Sequence, residues 1–397
     1  MRNPAAHWDI FCSVIDNYGD IGVTWRLARQ LATEYAISVR LWVDDLAAFR
    51  HIYPEVNATA ATQFLQGVEI RHWTTPLPAT EPGSVVIEAL ACNLPDSFIH
   101  AMAEKSPSPV WINLEYLSAE NWVQGVHGLP SPHPRLPLTK HFFMPGYLAK
   151  TGGLTREAQL YHARDAFQGD INAQSRFWAE IGLPNNHALH LRRHLRISLF
   201  SYESASLAGL LAACSQGPQP IDLVVPLGKA VPQIATWFAA THAQAGDHWQ
   251  RGNLNVHVLP MLSQDDYDRL LWACDCNFVR GEDSFVRAQF AARPLIWQAY
   301  RQEEGAHLDK LAAFLDLYCA DLPPAGASLV REMWQAWNRE EDIHALWPAW
   351  IAALPVLSEH ARAWATHLAE QTDLAANLVE FSGGATTGSE TLRRNPA

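Results

Sequence analysis

Two carboxylates and two glycines stand close together in FCSVIDNYGDIGVTWRLARQ, residues 11–30: Asp16, Gly19, Asp20 and Gly22. Acids grouped in one loop can take a proton, pair with a cation or hold a hydroxyl. The glycines permit a tight turn and the close approach of a ligand. The spacing is GxxG rather than the G-x-G-x-x-G of a dinucleotide fingerprint, and no G-x-x-x-x-G-K-[ST] phosphate loop occurs. The bland alternative is a turn opened by Asp16, with Asp20 near a helix start where an acid complements the dipole. Asn17 and Tyr18 fit either reading.

A second group lies in RGEDSFVRAQFAARPLIW, residues 280–297. A strand, CNFVR, ends at Arg280, a turn follows at Gly281 and Glu282, and a helix starts near Asp283 and Ser284. Ser and Asp are good caps, and the free N–H groups of a helix start suit phosphate. Glu282 is placed to accept hydrogen bonds from ribose hydroxyls. The plain alternative is a capped helix with a surface Arg-Glu pair. Phe200 and Tyr202 in LFSYES can line a base, or simply alternate along a strand. Gln264 in LPMLSQDDYDRLLW can read a base edge or bind phosphate; the alternative is a helix entry with Ser263 as N-cap and Asp266 answering it.

Strands and helices must bring these residues to a common edge. In the first half HWDIFCSVI, SVRLWVDD, VEIRHW, SVVIEALAC and SPVWINLEYL read as strands, and VTWRLARQLATEY as an amphipathic helix. The stretch from HGLPSPHPRLPL to PGYLAKTGGL reads mostly as loop. In the second half ISLFSY, PIDLVVPLG, NVHVLP, CNFVR and PLIWQAY are strands that alternate with helices. Three helical runs close the chain, the last being SEHARAWATHLAEQTDLAANLVEFS. Strands spaced by helix-length segments make βαβ units and a parallel sheet. The 397 residues therefore divide into two doubly wound domains: residues 1–185, completed by about 360–382, and residues 186–359, with 383–397 a disordered tail. Ligands of such sheets bind beyond the carboxyl ends of the strands, where all four segments fall.

The bulk composition narrows the class. A net charge of −12 disfavours a nucleic-acid backbone and leaves room for a basic partner or a cationic substrate. No apolar run is long enough to span a membrane, and the N-terminus lacks a signal-peptide pattern. Six scattered cysteines fit reduced, buried thiols of a cytoplasmic protein. The one close pair, Cys274-Asp275-Cys276, has no second cluster, so no metal site is expected.

Four segments at strand ends in two facing sheets point to a nucleotide-sugar glycosyltransferase of the GT-B type. Its architecture is α/β: two facing Rossmann-like domains with parallel sheets, and a C-terminal helix returning to the N-terminal domain. DNYGDIGVTWRLARQL and FVRGEDSFVRAQFAARPLIWQ closely resemble the protein-arginine rhamnosyltransferases that modify bacterial translation elongation factor P. LWVDDLAAF, VWINLEYLSAE, HFFMPG and the QEEGAHLDKLAAFL run support the resemblance, which covers roughly residues 7 to 380. Met261 departs from it, standing where the family often has phenylalanine.

The resemblance implies an inverting, metal-independent transfer without a cofactor. L-Rhamnose would pass from dTDP-β-L-rhamnose to one arginine of elongation factor P, with no direct nucleic-acid or membrane partner. It implies Asp20 as general base and Asp16 as a second essential acid. Phe200, Tyr202 and Gln264 would surround the thymine nucleotide. Arg280 and Glu282 would hold the donor, with Asp283 and Ser284 at the diphosphate; Asn17, Tyr18, Gly19 and Gly281 join the donor-binding set. Two further readings stay open: another GT-B nucleotide-sugar enzyme, such as an epimerase or a transferase with a different acceptor, and a non-catalytic translation-factor binding protein.

Overall fold

The computed structural model describes residues 7–15, 18–90, 92–183 and 194–392. The chain divides into two compact units, one of residues 1–158 and 371–397, the other of residues 159–370.

The first unit is built on β1 (His7–Cys12), β2 (Ser38–Val43), β3 (Thr62–Leu65), β4 (Val68–His72), β5 (Val85–Ala89), β6 (Val110–Leu114), β7 (Pro130–Pro132) and β8 (Thr139–Phe143). They form one sheet in the order β3-β4-β2-β1-β5-β6-β8-β7. All neighbours are parallel except β3 on β4 and β7 on β8. Its helices are α1 (Gly19–Glu34), α2 (Leu46–Ile52), α3 (Asp96–Glu104) and α4 (Val123–Val126). β5 is buried along its whole length and β1 nearly so. A parallel strand covered by helices on both faces reads as a continuous apolar run, which is why these strands are legible. Phe11 stacks on Trp42 at 5.5 Å, within a core that includes Phe98, Met102 and Trp111. Beneath them Asp9 is fully buried and takes two bonds from Arg40, at 2.5 and 2.8 Å, one from Trp42 at 2.9 Å and one from the Gly83 amide at 2.7 Å.

The second unit opens with α5 (Leu160–Gly169) and α6 (Ile171–Glu180). Then follow β9 (Leu195–Leu199), α7 (Ser206–Gln216), β10 (Ile221–Pro226), α8 (Val231–Trp237), β11 (His248–Arg251), β12 (Leu254–Leu259), α9 (Gln264–Ala273), β13 (Cys276–Arg280), α10 (Asp283–Phe290) and β14 (Leu295–Gln298). The sheet order is β11-β12-β10-β9-β13-β14, parallel except for β11. Three helices complete it: α11 (Ala306–Tyr318), α12 (Pro324–Asn338) and α13 (Trp347–Ala369). Phe285 stacks on Trp297 at 4.0 Å, and Trp337 meets Phe278 edge-on at 4.9 Å. The chain then returns to the first unit as α14 (Leu374–Leu392), which packs on α1 and β6. Leu374 donates its amide to Leu154 and Asn377 bonds the Gly152 carbonyl.

Several details differ from the sequence-based expectations. β1 ends at Cys12, not Ile15, because Ser13 and Val14 turn aside to bond a carboxylate on the neighbouring strand end. The stretch read as loop contains β7 and β8. α5 and α6 group with the second unit, where Phe167 packs on Trp272 and Gln168 bonds the Trp272 and Ala291 carbonyls. The final helical run is broken between Ala369 and Leu374, and its second part continues as helix to Leu392 through residues read as tail. Residues 393–397 lie outside the described residues.

Candidate functional site

Each unit carries candidate residues at the point where its strand order reverses. In the first sheet the chain moves outward from β1 to β2 and β4, then jumps back to β5 beside β1. The loop after β1 opens at that switch point, where α/β sheets bind ligands.

That loop is held by two carboxylates. Asp44, just past β2, takes the Ser13 hydroxyl on Oδ2 at 2.5 Å and the Val14 amide on Oδ1 at 2.9 Å. The next amide, Ile15 N–H, donates to Asp20 Oδ2 at 2.7 Å. Asp20 is the second residue of α1, where an acid complements the helix dipole, and is only 2% exposed. Its Oδ1 accepts from the Tyr116 hydroxyl at 3.3 Å. Thr24 donates to the Asp20 carbonyl one turn on. Below them burial pushes the Cys12 thiol well up, and the Asp20 charge adds to it. Tyr18 caps α1 by backbone alone, its ring edge-on to His51 at 5.7 Å, and Gly19 begins the helix. Asp16 and Asn17 lie outside the described residues.

In the second sheet the corresponding reversal lies between β9 and β13, and six of the candidates follow those two strands. Arg280, the last residue of β13, is 6% exposed. Its guanidinium lies over Phe200 at 4.6 Å and Tyr202 at 4.3 Å. Nη1 is buried with no hydrogen-bond partner among the described residues. Gly281 has φ +62°, a left-handed conformation that glycine adopts without strain, and its carbonyl takes the Trp297 indole N–H at 2.7 Å. α10 then starts at Asp283 with Glu282 at the N-cap and no side-chain cap. The Ser284 hydroxyl turns back to the Arg280 backbone instead of capping. Asp283 accepts from Gln264 Nε2 at 3.2 Å. Gln264 begins α9, whose N-cap is Ser263: its Oγ accepts the Asp266 amide at 3.1 Å, as in a capping box, and donates to Asp266 Oδ2 at 2.8 Å, so the carboxylate meets the hydroxyl. Tyr267 meets Phe200 edge-on at 5.5 Å; burial pushes its phenol up, with Asp283 adding.

α10 is anchored from behind. Arg287 bonds Asp268 through Nε at 3.0 Å and Nη2 at 2.6 Å, with both side chains buried. Arg164 and Gln168 of α5 donate to the Phe290 and Ala291 carbonyls at its other end. These bonds hold α10 with its start beside Arg280. Tyr202 also lines a cavity of about 640 Å³, together with Lys229, Gln233, Gln298 and Tyr300. The Gln298 and Gln233 side-chain oxygens take the Tyr202 and Ser204 amides and so fix the loop after β9.

The structure thus brings Phe200, Tyr202, Gln264, Arg280, Gly281, Glu282, Asp283 and Ser284 to one edge of the second sheet, and Tyr18, Gly19 and Asp20 to one edge of the first. Asp44 and Tyr116 were given no role from sequence, although each lies within two residues of a strand's carboxyl end, a signal that is readable. Among the described residues no group of three or more His, Cys, Asp or Glu side chains is placed to hold a metal ion. All six cysteines are buried and unpaired. No helix among the described residues is long and apolar enough to cross a membrane.

Comparison with known proteins agrees with this layout. The family model described as elongation-factor P (EF-P) rhamnosyltransferase EarP matches residues 8–383. A protein-arginine rhamnosyltransferase of Pseudomonas putida is 49% identical over 376 residues, 95% of this chain and 98% of the relative. One from Neisseria meningitidis is 34% identical, covering 92% of each. A solved structure from work on EarP-mediated arginine glycosylation of translation elongation factor EF-P superposes with a TM-score of 0.69 at 38% identity, over 96% of this chain and 99% of that one. A glycosyltransferase of Rickettsia africae has a TM-score of 0.52 at 9% identity, over 99% and 100% of the two chains, a likeness of fold alone. Two parallel-dominated sheets with covering helices make this a GT-B glycosyltransferase fold.

Proposed function

Because the chain belongs to the family of elongation-factor P rhamnosyltransferases, we propose that it transfers L-rhamnose from dTDP-β-L-rhamnose to an arginine guanidinium of elongation factor P, in the cytoplasm and with inversion. The observation that carries the reading is that each sheet's switch point holds one buried charged group of the kind the reaction needs: the Asp20 carboxylate in the first unit, and in the second the Arg280 guanidinium on two aromatic rings.

An arginine guanidinium loses its proton only far above neutral pH, so it arrives protonated and is a poor nucleophile. A carboxylate that pairs with it localises electron density on one nitrogen and takes a proton as the C–N bond forms. In the proposed step a guanidinium nitrogen attacks C1 from the face opposite the leaving group. The C1–O bond breaks with its electron pair going to dTDP, and the proton lost by nitrogen passes to Asp20. Asp16 serves as a second acid for the cationic acceptor. Arg280 and the N-terminus of α10 at Asp283 and Ser284 meet the diphosphate charge, so the step as proposed uses no metal. Phe200, Tyr202 and Gln264 take the nucleotide, with Gly281, Glu282, Asn17, Tyr18 and Gly19 completing the donor set.

The test is to incubate the protein with dTDP-L-rhamnose and elongation factor P. The expected result is one deoxyhexose added at a single arginine; no mass change with intact components rejects the reading. Asp20→Asn is expected to abolish transfer while dTDP still binds. Full activity in that variant would remove Asp20 from the base role.

A further inference from the structure

Asp20 is almost completely withdrawn from water, so its charge is solvated by protein donors, and each oxygen has a different one. Oδ2 takes a short, fixed bond of 2.7 Å from the Ile15 backbone amide. Oδ1 takes a longer bond of 3.3 Å from the Tyr116 hydroxyl. An amide N–H can only donate, so a proton on Oδ2 would take up a lone pair and weaken that short bond, with no return donation possible. A phenol can both donate and accept. When Oδ1 gains a proton it becomes the donor, and Tyr116 turns to accept from it.

The amide that fixes Oδ2 is itself set from a distance. Asp44 holds Ser13 and Val14 with its two oxygens, which pulls the chain out of the β1 ladder and directs the next N–H at Asp20. His72 Nε2 lies 3.2 Å from the Asp44 carbonyl and steadies the end of β2. Among the described residues, Cys12 senses both Asp20 and Asp44, and Cys92 senses Asp44; burial pushes both thiols up.

We propose that Tyr116 and Asp44 are positioning residues for Asp20. Tyr116 keeps Oδ1 as the oxygen that takes the proton, and Asp44 sets the loop so that Oδ2 is tied down. The proposal rests on the reading of Asp20 as general base.

The experiment measures transfer to elongation factor P as a function of pH for the full-length Tyr116→Phe, Asp44→Ala, Asp44→Asn and Asp20→Asn variants, with dTDP binding and thermal unfolding recorded for each. Tyr116→Phe is expected to lower kcat by ~10- to 100-fold, the range for a lost hydrogen bond to a charged group. Its acid limb should move to higher pH, because a carboxylate that loses a donor is easier to protonate. dTDP affinity should change little, since Phe200, Tyr202 and Gln264, which take the nucleotide in this reading, are in the second unit. Asp44→Ala should lower kcat similarly, while Asp44→Asn should keep most activity, its amide oxygen still taking the Val14 N–H. Unchanged kcat and acid limb in Tyr116→Phe overturn the proposal, as does a fall in activity that merely follows the loss of folded protein. If Asp20→Asn is itself active, the base reading fails first and the proposal with it. If Asp20→Asn is dead and both partners are silent, only the proposal fails.

Discussion

Replacing Arg280 by alanine separates a donor-binding role from a structural one. In the structure the guanidinium lies 4.6 and 4.3 Å from two ring centroids and makes no ion pair with a described residue. Two such stacks are worth ~0.5–2 kcal/mol each to the folded unit. Against that, a buried Nη1 without a partner costs ~1–3 kcal/mol, which the alanine variant recovers. The two contributions nearly cancel, so the melting temperature should move by only a few degrees, at ~2–4 °C per kcal/mol for a unit of this size. Binding is another matter. A charge-assisted bond to a phosphate is worth ~1.5–3 kcal/mol, and nothing else in the stack replaces it. dTDP should therefore bind ~10- to 100-fold more weakly to Arg280→Ala. Arg280→Lys should fall between, keeping a charge but losing the planar fork that sits on the rings. Isothermal titration with dTDP reads both variants against the parent protein. A parent that binds dTDP and an alanine variant that binds within twofold of it would refute the role given to Arg280. A parent that does not bind dTDP refutes the donor reading as a whole.

The scaffold makes two further predictions. Asp268→Ala strips two carboxylate bonds from the buried Arg287 and should destabilise by ~3–5 kcal/mol in urea, whereas Asp268→Leu combined with Arg287→Met should recover much of that loss; equal losses in both would show that the pair does not anchor α10. Asp9 makes stability fall at acid pH. Burial opposes its charge, but hydrogen bonds from His7 and Arg40, the Arg40 charge and a bond from Trp42 outweigh that and hold its pKa below the ordinary carboxylate value. A lowered folded pKa means the stabilisation is present above the unfolded value of ~3.9 and is lost as pH falls through the folded one. Unfolding free energy should thus drop more steeply below about pH 4 in the parent than in Asp9→Asn; parallel curves refute the assignment.

How much of this was readable before the fold is known depends on how far apart the interacting residues are in the chain. The edge after β13 was legible because its signals are local: CNFVR is an apolar run buried on both faces, Gly281 needs a left-handed turn, and the helix begins two residues later. The paired helices at 160–180 were not, since their membership in the second unit depends on bonds such as Arg164 to Phe290, 126 residues away. The short edge strands β3, β7 and β11 also escaped notice. A segment such as PSP joins a sheet through backbone pairing and exposes little apolar pattern.

The end of β1 shows the limit most clearly. Ser13-Val14-Ile15 is as strand-like as the residues before it, and nothing local stops the strand. What stops it is Asp44, 30 residues on, in a pair of aspartates that looks like a single helix start. The two do different work: Asp45 accepts the Ala48 amide at 2.9 Å and caps α2, and this leaves the Asp44 carboxylate for the loop after β1. One cap would have been enough for the helix. The second aspartate is explained only by the loop it holds, and that loop presents the amide that grips Asp20. A duplicated acid at a strand end is therefore a signal worth reading: when a helix start carries one more carboxylate than its cap requires, the spare one is available to shape the neighbouring strand's exit, which in this fold is the loop that carries the candidate base.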